Sequence, residues 1–246
     1  MDKLQKTVLA YQTVMQTQYY FEIAKKNTKI EFVLTFEKED FFHMAGLHKL
    51  KDVTTLQIEM SKGIIFDRIA NGNITFDQVK NSYFYQDIEK RLSYLEKIQK
   101  LLDSNQIVFQ YLESRNKASY IKADYLLEEG YKTDIIYIFL NERSKAEKGQ
   151  IPIMCCRSFF PMNQLDYTRN QPSYTLLKKI KIDTHTGNRT VQYDRSKILE
   201  QAKAAGSESE RRSVLQQLNE KKAQLAIREV LDQRKNLQKD KQDRER

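Results

Sequence analysis

The sequence predicts an α+β fold in which N-terminal helices pack on a C-terminal antiparallel sheet, followed by a charged helical tail. Apolar residues recur every three or four positions as far as Asp103, and short β-branched and aromatic runs follow that point. Helices therefore come first and strands afterwards, instead of alternating as they do in parallel α/β folds. We divide the 246 residues into a domain at 1–195 and a tail at 196–246.

The first half of the chain is predicted to contain several helices and one strand. A helix over residues 1–26 follows from its apolar spacing, and a period of two from Ile30 to Phe36 predicts a strand. A second helix starts near Glu39 and includes both His43 and His48. These elements give the domain one helical layer with an apolar face.

Two more helical stretches are expected before the sheet begins. One runs from Thr54 through Ile58 and Ile69 and stops at Asn71-Gly72. In the other, a short helix and then a longer one are expected, because Thr75 with Gln78 resembles a capping box and an apolar stripe at helical spacing runs from Ile88 to Leu102.

The second half of the domain is predicted to be a sheet. Its strands are the apolar runs at 107–109, 120–121, 135–140 and 151–156. A last hairpin pairs Tyr174–Ile182 with Thr190–Tyr193 across His185-Thr186-Gly187-Asn188.

The tail is rich in Lys, Arg, Glu and Gln and has few apolar anchors. Ser207 and Glu210 are typical of a helix start, and the helix would run to about Leu237. A solvated helix or partly disordered tail and a partner-binding helix are both open, because the heptad pattern is not sustained.

The charge balance indicates the kind of partner, and the cysteines indicate the redox compartment. The chain carries Lys+Arg 42 and Asp+Glu 33, a net charge of +9, of which the tail supplies 13 Lys/Arg and 9 Asp/Glu. This balance favours nucleic acid first, and an acidic protein or membrane surface second, although an ordinary basic protein has the same composition. Cys155 and Cys156 are neighbours on a predicted strand and poorly placed to pair, which indicates a reducing compartment. With no long apolar segment or leader, we expect a cytoplasmic protein that does not engage the membrane.

The segment from Cys156 to Lys179 has the composition of a binding site. It combines cationic, hydroxyl and amide donors with aromatic rings, and Asp166 is its one acidic residue. Such donors hold phosphate oxygens, and aromatic rings stack on bases. RNA is therefore the favoured ligand. The candidate substrate-binding residues are Tyr167, Thr168, Gln171, Tyr174 and Lys179.

Metal and nucleotide-cofactor motifs are missing from the sequence. His43 and His48 are five residues apart, which on a continuous helix turns their side chains roughly 140° from each other. Paired metal-ligand cysteines, His-Glu-x-x-His and Gly-rich phosphate loops do not occur. We therefore expect no metal and no cofactor.

RNA cleavage without a metal requires a proton shuttle and groups that stabilise charge on phosphate. His43 is the candidate shuttle, because imidazole titrates near neutral pH. Arg157 and Lys178 are candidate charge stabilisers, and Ser158 is a candidate donor to a phosphate oxygen. Each has a structural alternative: a packed histidine, a strand-terminating arginine, a solvated strand lysine or a turn serine. The tyrosines could likewise belong to the core.

Four short motifs resemble a known nuclease family. They are Asp40-Phe41-Phe42-His43-Met44-Ala45-Gly46-Leu47, Asn81-Ser82-Tyr83-Phe84, Cys156-Arg157-Ser158-Phe159-Phe160-Pro161 and Asp166-Tyr167-Thr168 with Gln171. In this order they resemble the phage-associated nucleases of the barnase, EndoU, colicin and RelE type, over roughly Tyr20 to Tyr193. The resemblance implies helices on an antiparallel sheet, metal-independent ribonuclease activity and a home in phages or mobile elements. It also implies that His43, Arg157 and Ser158 line the catalytic cleft.

The sequence leaves three functional hypotheses. The favoured one is a metal-independent endoribonuclease that cleaves RNA by attack of the ribose 2′-hydroxyl. The alternative is a non-catalytic protein of a mobile element that inhibits a host defence or nucleic-acid complex, with a protein partner bound through residues 196–246. A third is a DNA-associated accessory factor, which salt-dependent binding to duplex DNA would favour.

Overall fold

Helices occupy most of the first hundred residues in the computed structural model of the protein. The structure describes residues 1–57, 61–116 and 119–204. The chain divides into two units, Met1–Asp194 and Arg195–Arg246. In the first unit the α-helices are α1 (Lys3–Met15), α2 (Lys38–Met44), α3 (Thr54–Gln57), α4 (Lys62–Ala70), α5 (Phe76–Lys80), α6 (Gln86–Leu95) and α7 (Ile98–Ser104).

The strands begin earlier in the chain than predicted. They are β1 (Thr17–Lys25), β2 (Thr28–Leu34), β3 (Ile107–Gln110), β4 (Tyr125–Tyr131), β5 (Asp134–Glu142), β6 (Ile153–Pro161), β7 (Ser173–Asp183) and β8 (Arg189–Asp194). Two short 3-10 helices lie at Leu47–Lys49 and Glu113–Arg115. The fold is thus α+β, with helices in the N-terminal part and strands at both ends of the first unit.

The predicted helix over 1–26 is wrong beyond Met15, because residues 17–25 form β1. Tyr19 and Ile23 lie four apart, and a spacing of four places two residues on one face of a helix and also on one face of a strand. The alternation of buried and partly buried residues along β1 shows which period applies. The predicted strand at Tyr120-Ile121 is also wrong, and β4 lies a few residues later.

The other helix predictions agree in position and differ in continuity. The capping box of Thr75 with Gln78 is confirmed at the start of α5. The long stripe to Leu102 is divided into α6 and α7 at Glu96-Lys97. Of the predicted helix at 54–69, the described part is α3 and α4, and Ile58 lies outside the described residues.

The sheet closes on itself. Its order is β1-β2-β6-β5-β4-β3-β7, β7 pairs again with β1, and β8 lies beside β7. All of these pairs are antiparallel except β2 with β6, where Val33 is opposite Ile153 and Leu34 is opposite Met154. The prediction of an antiparallel sheet is therefore wrong at this one pair. The predicted β7–β8 hairpin is confirmed.

Strand β5 separates two apolar clusters. Ile136 and Ile138 face the main core, which contains the helices, whereas Tyr137 and Phe139 belong to a smaller cluster beside Tyr167. Its neighbour β6 is covered by α2 and α6 and contributes to both clusters. This packing fixes α2 and α6 over the middle of β6.

The remaining features concern the cysteines, the membrane and the tail. Cys155 and Cys156 are buried, free thiols, in agreement with the prediction that they do not pair. In the part of the chain that the structure describes, helices are too short or too polar to cross a bilayer. The described part of the second unit is α8 (Arg195–Ala204), and the predicted helix at 207–237 lies outside the described residues.

Candidate active site

His43 and His48 lie close together beside β6. His43 lies in the last turn of α2, which ends at Met44, and Gly46 then reverses the chain with a φ of 76°. The 3-10 helix that follows carries His48 back, so that the two imidazole centroids are 5.2 Å apart. The expectation that these rings diverge is wrong, because it assumed one continuous helix.

Gly46 is necessary for this turn in two ways. Its left-handed backbone favours glycine, and a Cβ there would lie 2.8 Å from Cγ2 of Ile88 and 3.0 Å from Cδ of Arg91. The turn thus packs directly on α6. Glycine lets the histidine pair approach the helix that supplies Arg91.

Helix α4 contributes a lysine to the same place. Nζ of Lys62 lies 2.6 Å from Nε2 of His43. An ammonium group can only donate, so this contact requires Nε2 to be the unprotonated, accepting nitrogen of a neutral imidazole. Gly63 of α4 lies close to α2, since a Cβ there would be 2.6 Å from Oε1 of Glu39.

Arg157 occupies a β-bulge in the middle of β6. Cys156 pairs with Leu140 and Ser158 pairs with Phe139, so Arg157 is an extra residue on its strand. A bulge redirects a side chain and bends the strand, and bulges are frequent next to active sites. Arg157 is exposed, and its positive charge lowers the pKa of His43.

The electrostatics keep both imidazoles neutral at neutral pH. Burial, followed by the charges of Lys62 and Arg157, lowers the pKa of His43, and Asp40 opposes this effect. Burial, followed by His43 and Arg91, lowers the pKa of His48 to about 4. We call His43, His48, Lys62 and Arg157 the histidine cluster. It is a cationic site with two unprotonated bases.

An acidic network holds α2 in position. Asp40 is 7 % exposed and receives Nη2 of Arg143 at 2.6 Å, while Glu37 receives Nη1 at 2.8 Å. The Nη2 group also donates to the carbonyl of Thr35. The first turn of α2 is therefore fixed to the loop after β5, and the orientation of His43 follows from this anchoring.

Sequence reasoning missed Arg91, Lys62 and the partnership of His48 with His43. Arg91 is three residues after Ile88 and lies on the buried face of α6, where it is 7 % exposed. That spacing was visible in the sequence, and a charged residue on an apolar stripe is a signal for a site. Lys62 gave no such signal, because its role depends on a tertiary contact.

The other predicted catalytic residues, Ser158 and Lys178, lie on two different strands. Ser158 is partly buried on β6, and its carbonyl accepts from Sγ of Cys156. Lys178 lies on β7, 3.8 Å from Oδ2 of Asp194. Strands β1 and β2 separate β7 from β6 on one side of the closed sheet, and β3, β4 and β5 on the other. The structure does not bring Lys178 to His43.

Lys179 has a structural position, which corrects its prediction as a substrate-binding residue. Its exposure is 0 %, and Nζ donates to the carbonyls of Leu102 and Asn105 at the end of α7. Burial lowers its pKa to about 8. A substrate cannot reach this ammonium group without opening the core.

The remaining predicted binding residues are mostly occupied by internal contacts. Gln171 is 8 % exposed and bonds both the N–H and the carbonyl of Leu112. Thr168 donates to Asp166 through both its N–H and its hydroxyl. Tyr174 packs against Tyr125 on the far strands. These three residues stabilise loops and strands.

Tyr167 packs on the smaller apolar cluster and lies within electrostatic range of Arg91. Its ring packs on Phe139 and Phe160, and burial raises its pKa, an effect that the hydrogen bond with Ser119 and then the charge of Arg91 oppose. Arg91 in turn lies 4.9 Å from the Phe160 ring centroid. Arg91 thus lies against Phe160 and within electrostatic range of both His48 and Tyr167.

No group of three or more His, Cys, Asp or Glu residues within 1–57, 61–116 and 119–204 is arranged to hold a metal ion. The groups of the site that could take part in catalysis are two imidazoles and several cationic side chains. This combination can move protons and stabilise negative charge on phosphate.

Comparison with known proteins gives one family. The model described as PBECR4, phage-Barnase-EndoU-ColicinE5/D-RelE like nuclease4, matches residues 3–196. Neither the curated proteins nor the solved structures contain a match to this chain.

Proposed function

The chain belongs to this family of phage-associated nucleases, and we propose that it is a metal-independent endoribonuclease that cleaves RNA by attack of the 2′-hydroxyl. The observation that carries the proposal is the contact of Lys62 with Nε2 of His43, beside His48 and Arg157. A neutral imidazole with an accepting nitrogen is the form that a general base needs.

In the proposed reaction His43 removes the proton of the 2′-hydroxyl, and that oxygen attacks the adjacent phosphorus. The bond from phosphorus to the 5′-oxygen breaks, and His48 donates a proton to this leaving oxygen. Approach of the anionic phosphate raises the pKa of a nearby imidazole, which allows His48 to be charged in the complex. Arg157 and Lys62 stabilise the extra negative charge on the phosphorane.

This scheme keeps His43 and Arg157 from the prediction and replaces Lys178 by Lys62. The reason is spatial, because β1 and β2 lie between β7, which carries Lys178, and β6. Ser158 remains a candidate donor to a phosphate oxygen through its hydroxyl, since it follows Arg157 at the bulge. Tyr167 is a candidate contact for a base beyond the phosphate.

The products of RNA and DNA cleavage test this function. The purified chain of 246 residues is incubated in chelator with a labelled single-stranded RNA and with DNA of the same sequence. We expect RNA alone to be cut, to leave 2′,3′-cyclic phosphate ends, and to resist cutting wherever a single 2′-deoxy nucleotide is placed. Cleavage of DNA, or a requirement for divalent metal, would contradict the proposal.

We further propose that residues 1–195 contain the whole catalytic apparatus, act in the cytoplasm, and leave residues 196–246 available for a protein partner. The end of the family match at residue 196 and the unit boundary at Asp194 support the division. The free thiols of Cys155 and Cys156 support a reducing compartment. A chain ending at residue 195 should keep RNA cleavage; loss of cleavage on this truncation would show that the tail belongs to the site.

A further inference from the structure

We propose that Arg91 is a phosphate-binding residue of the candidate active site, in a position built to receive one phosphate group of the nucleic-acid chain. This inference deepens the proposed function and rests on it for the identity of the polymer. Arg91 lies on α6 with 7 % of its surface exposed. Its Nη1 is buried and has no hydrogen-bond partner in the part of the chain that the structure describes.

Among the residues that the structure describes, no carboxylate lies within ion-pair distance of the Arg91 guanidinium group. None of the ion pairs formed among residues 1–57, 61–116 and 119–204 includes Arg91. Asp87 acts on it only as a more distant charge. A buried charge without a partner is costly, so such a group is expected where an anion completes the site.

The guanidinium group of Arg91 lies against an aromatic ring and near two other basic side chains. One face of the guanidinium group lies over the Phe160 ring, with 4.9 Å between Cζ and the ring centroid. Lys49 and His48 are close enough to feel its charge. Burial lowers the pKa of Arg91 to about 10, which leaves it protonated at neutral pH.

The position of Arg91 links it to the histidines. Its Cδ and Nε lie 3.0 and 3.4 Å from where a Cβ on Gly46 would be, and Gly46 is two residues before His48. A planar guanidinium presents two parallel donors that match two phosphate oxygens. A phosphate bound there would lie next to His48, which is the proton donor of the proposed reaction.

Substitution by a residue of similar shape without charge separates this role from simple packing. We would compare Arg91→Met with Arg189→Met, an exposed arginine on β8 whose removal changes the net charge equally. Thermal unfolding is measured in chloride and in inorganic phosphate at equal ionic strength. We expect the unfolding temperature of Arg91→Met in chloride to equal or exceed that of the wild type, because an unpaired buried charge is gone.

The response to phosphate gives the second readout. Phosphate should raise the unfolding temperature of the wild type and of Arg189→Met, and should leave Arg91→Met unchanged. Arg91→Lys keeps the charge but loses the fork, so its phosphate affinity should fall on the order of tenfold. A phosphate response of wild-type size in Arg91→Met or in Arg91→Lys, or a marked loss of stability in chloride for Arg91→Met, would overturn the proposal.

This experiment does not depend on cleavage. A chain that fails to cut RNA but binds phosphate through Arg91 would refute the proposed function and leave this inference standing. If the chain cuts RNA but Arg91→Met still binds phosphate normally, the proposed function stands and the inference about Arg91 is refuted.

Discussion

The histidine cluster beside β6 and the lysine-rich strand β7 both carry several cationic side chains, but these side chains differ in whether they have partners inside the protein. On β7, Lys181 pairs with Asp103 at 3.0 Å, Lys178 faces Asp194, and Lys179 is buried against carbonyl oxygens. Among the described residues, no carboxylate forms an ion pair with Lys62, Arg91 or Arg157. Cationic side chains that lack carboxylate partners therefore indicate a binding site better than the number of cations does.

The largest expected difference between the two regions is catalytic. His43→Ala should reduce RNA cleavage by about 10²–10⁴-fold, the usual contribution of a general base. Lys178→Ala should change the rate by less than about threefold, because its charge is already paired. Single-turnover cleavage of one labelled RNA by both variants measures the contrast. Equal losses of rate, or a larger loss in Lys178→Ala, would contradict the assignment of catalysis to the histidine cluster.

The next effect concerns backbone geometry in the two regions. Gly46→Ala should destabilise the fold by about 2–4 kcal/mol, since strain at a φ of 76° adds to a contact of 2.8 Å with Ile88. Gly187→Ala has a similar φ of 72° but no atom within 4 Å, and should cost only about 1–2 kcal/mol. Urea unfolding of both variants checks the difference. The same cost at both positions would show that the turn does not pack tightly on α6.

Loss of the buried lysine should affect stability without affecting catalysis. Lys179→Met leaves the carbonyls of Leu102 and Asn105 without their donor, which should cost about 1–3 kcal/mol. The rate constant for RNA cleavage should be that of the wild type at a temperature where both chains are folded. A fall in rate with unchanged stability would return Lys179 to the site.

The smallest effect is a shift in the pH dependence of cleavage. A general base must be unprotonated, so kcat/KM falls as the pH drops through the pKa of His43. The charge of Lys62 lowers that pKa, and Lys62→Gln should therefore move the acid limb of the profile to higher pH. Lys6→Gln, an exposed change on α1, serves as the control. An acid limb that stays in place or moves to lower pH would contradict the assigned role of His43.

Local patterns predicted the elements better than they predicted their ends and partners. The capping box at Thr75 and the β7–β8 hairpin depend on neighbouring residues, and both were predictable. The end of the first helix was not, because a spacing of four fits a helix and a strand equally well. The parallel pairing of β2 with β6 joins segments more than a hundred residues apart, which no local pattern reports.

The site was predictable in its residue types and only partly in its members. His43 and Arg157 stand out by chemistry, and the structure brings them within electrostatic range of each other. The contribution of His48 depends on the left-handed turn at Gly46, and that of Lys62 depends on the packing of α4 against α2. Thr168 and Gln171 have the side chains of ligand donors, but they use their donors in internal hydrogen bonds. These bonds are turn or tertiary contacts, which the sequence pattern does not show.

The binding of an uncleavable RNA tests most directly whether the histidine cluster is the substrate site. A short oligonucleotide with 2′-deoxy sugars at the cleaved positions is titrated into the labelled protein, and the side-chain resonances are followed by NMR. We expect the imidazole signals of His43 and His48 to shift and the signal of the ammonium-bearing methylene of Lys178 to stay in place. Shifts at Lys178 with unchanged imidazole signals would contradict this expectation.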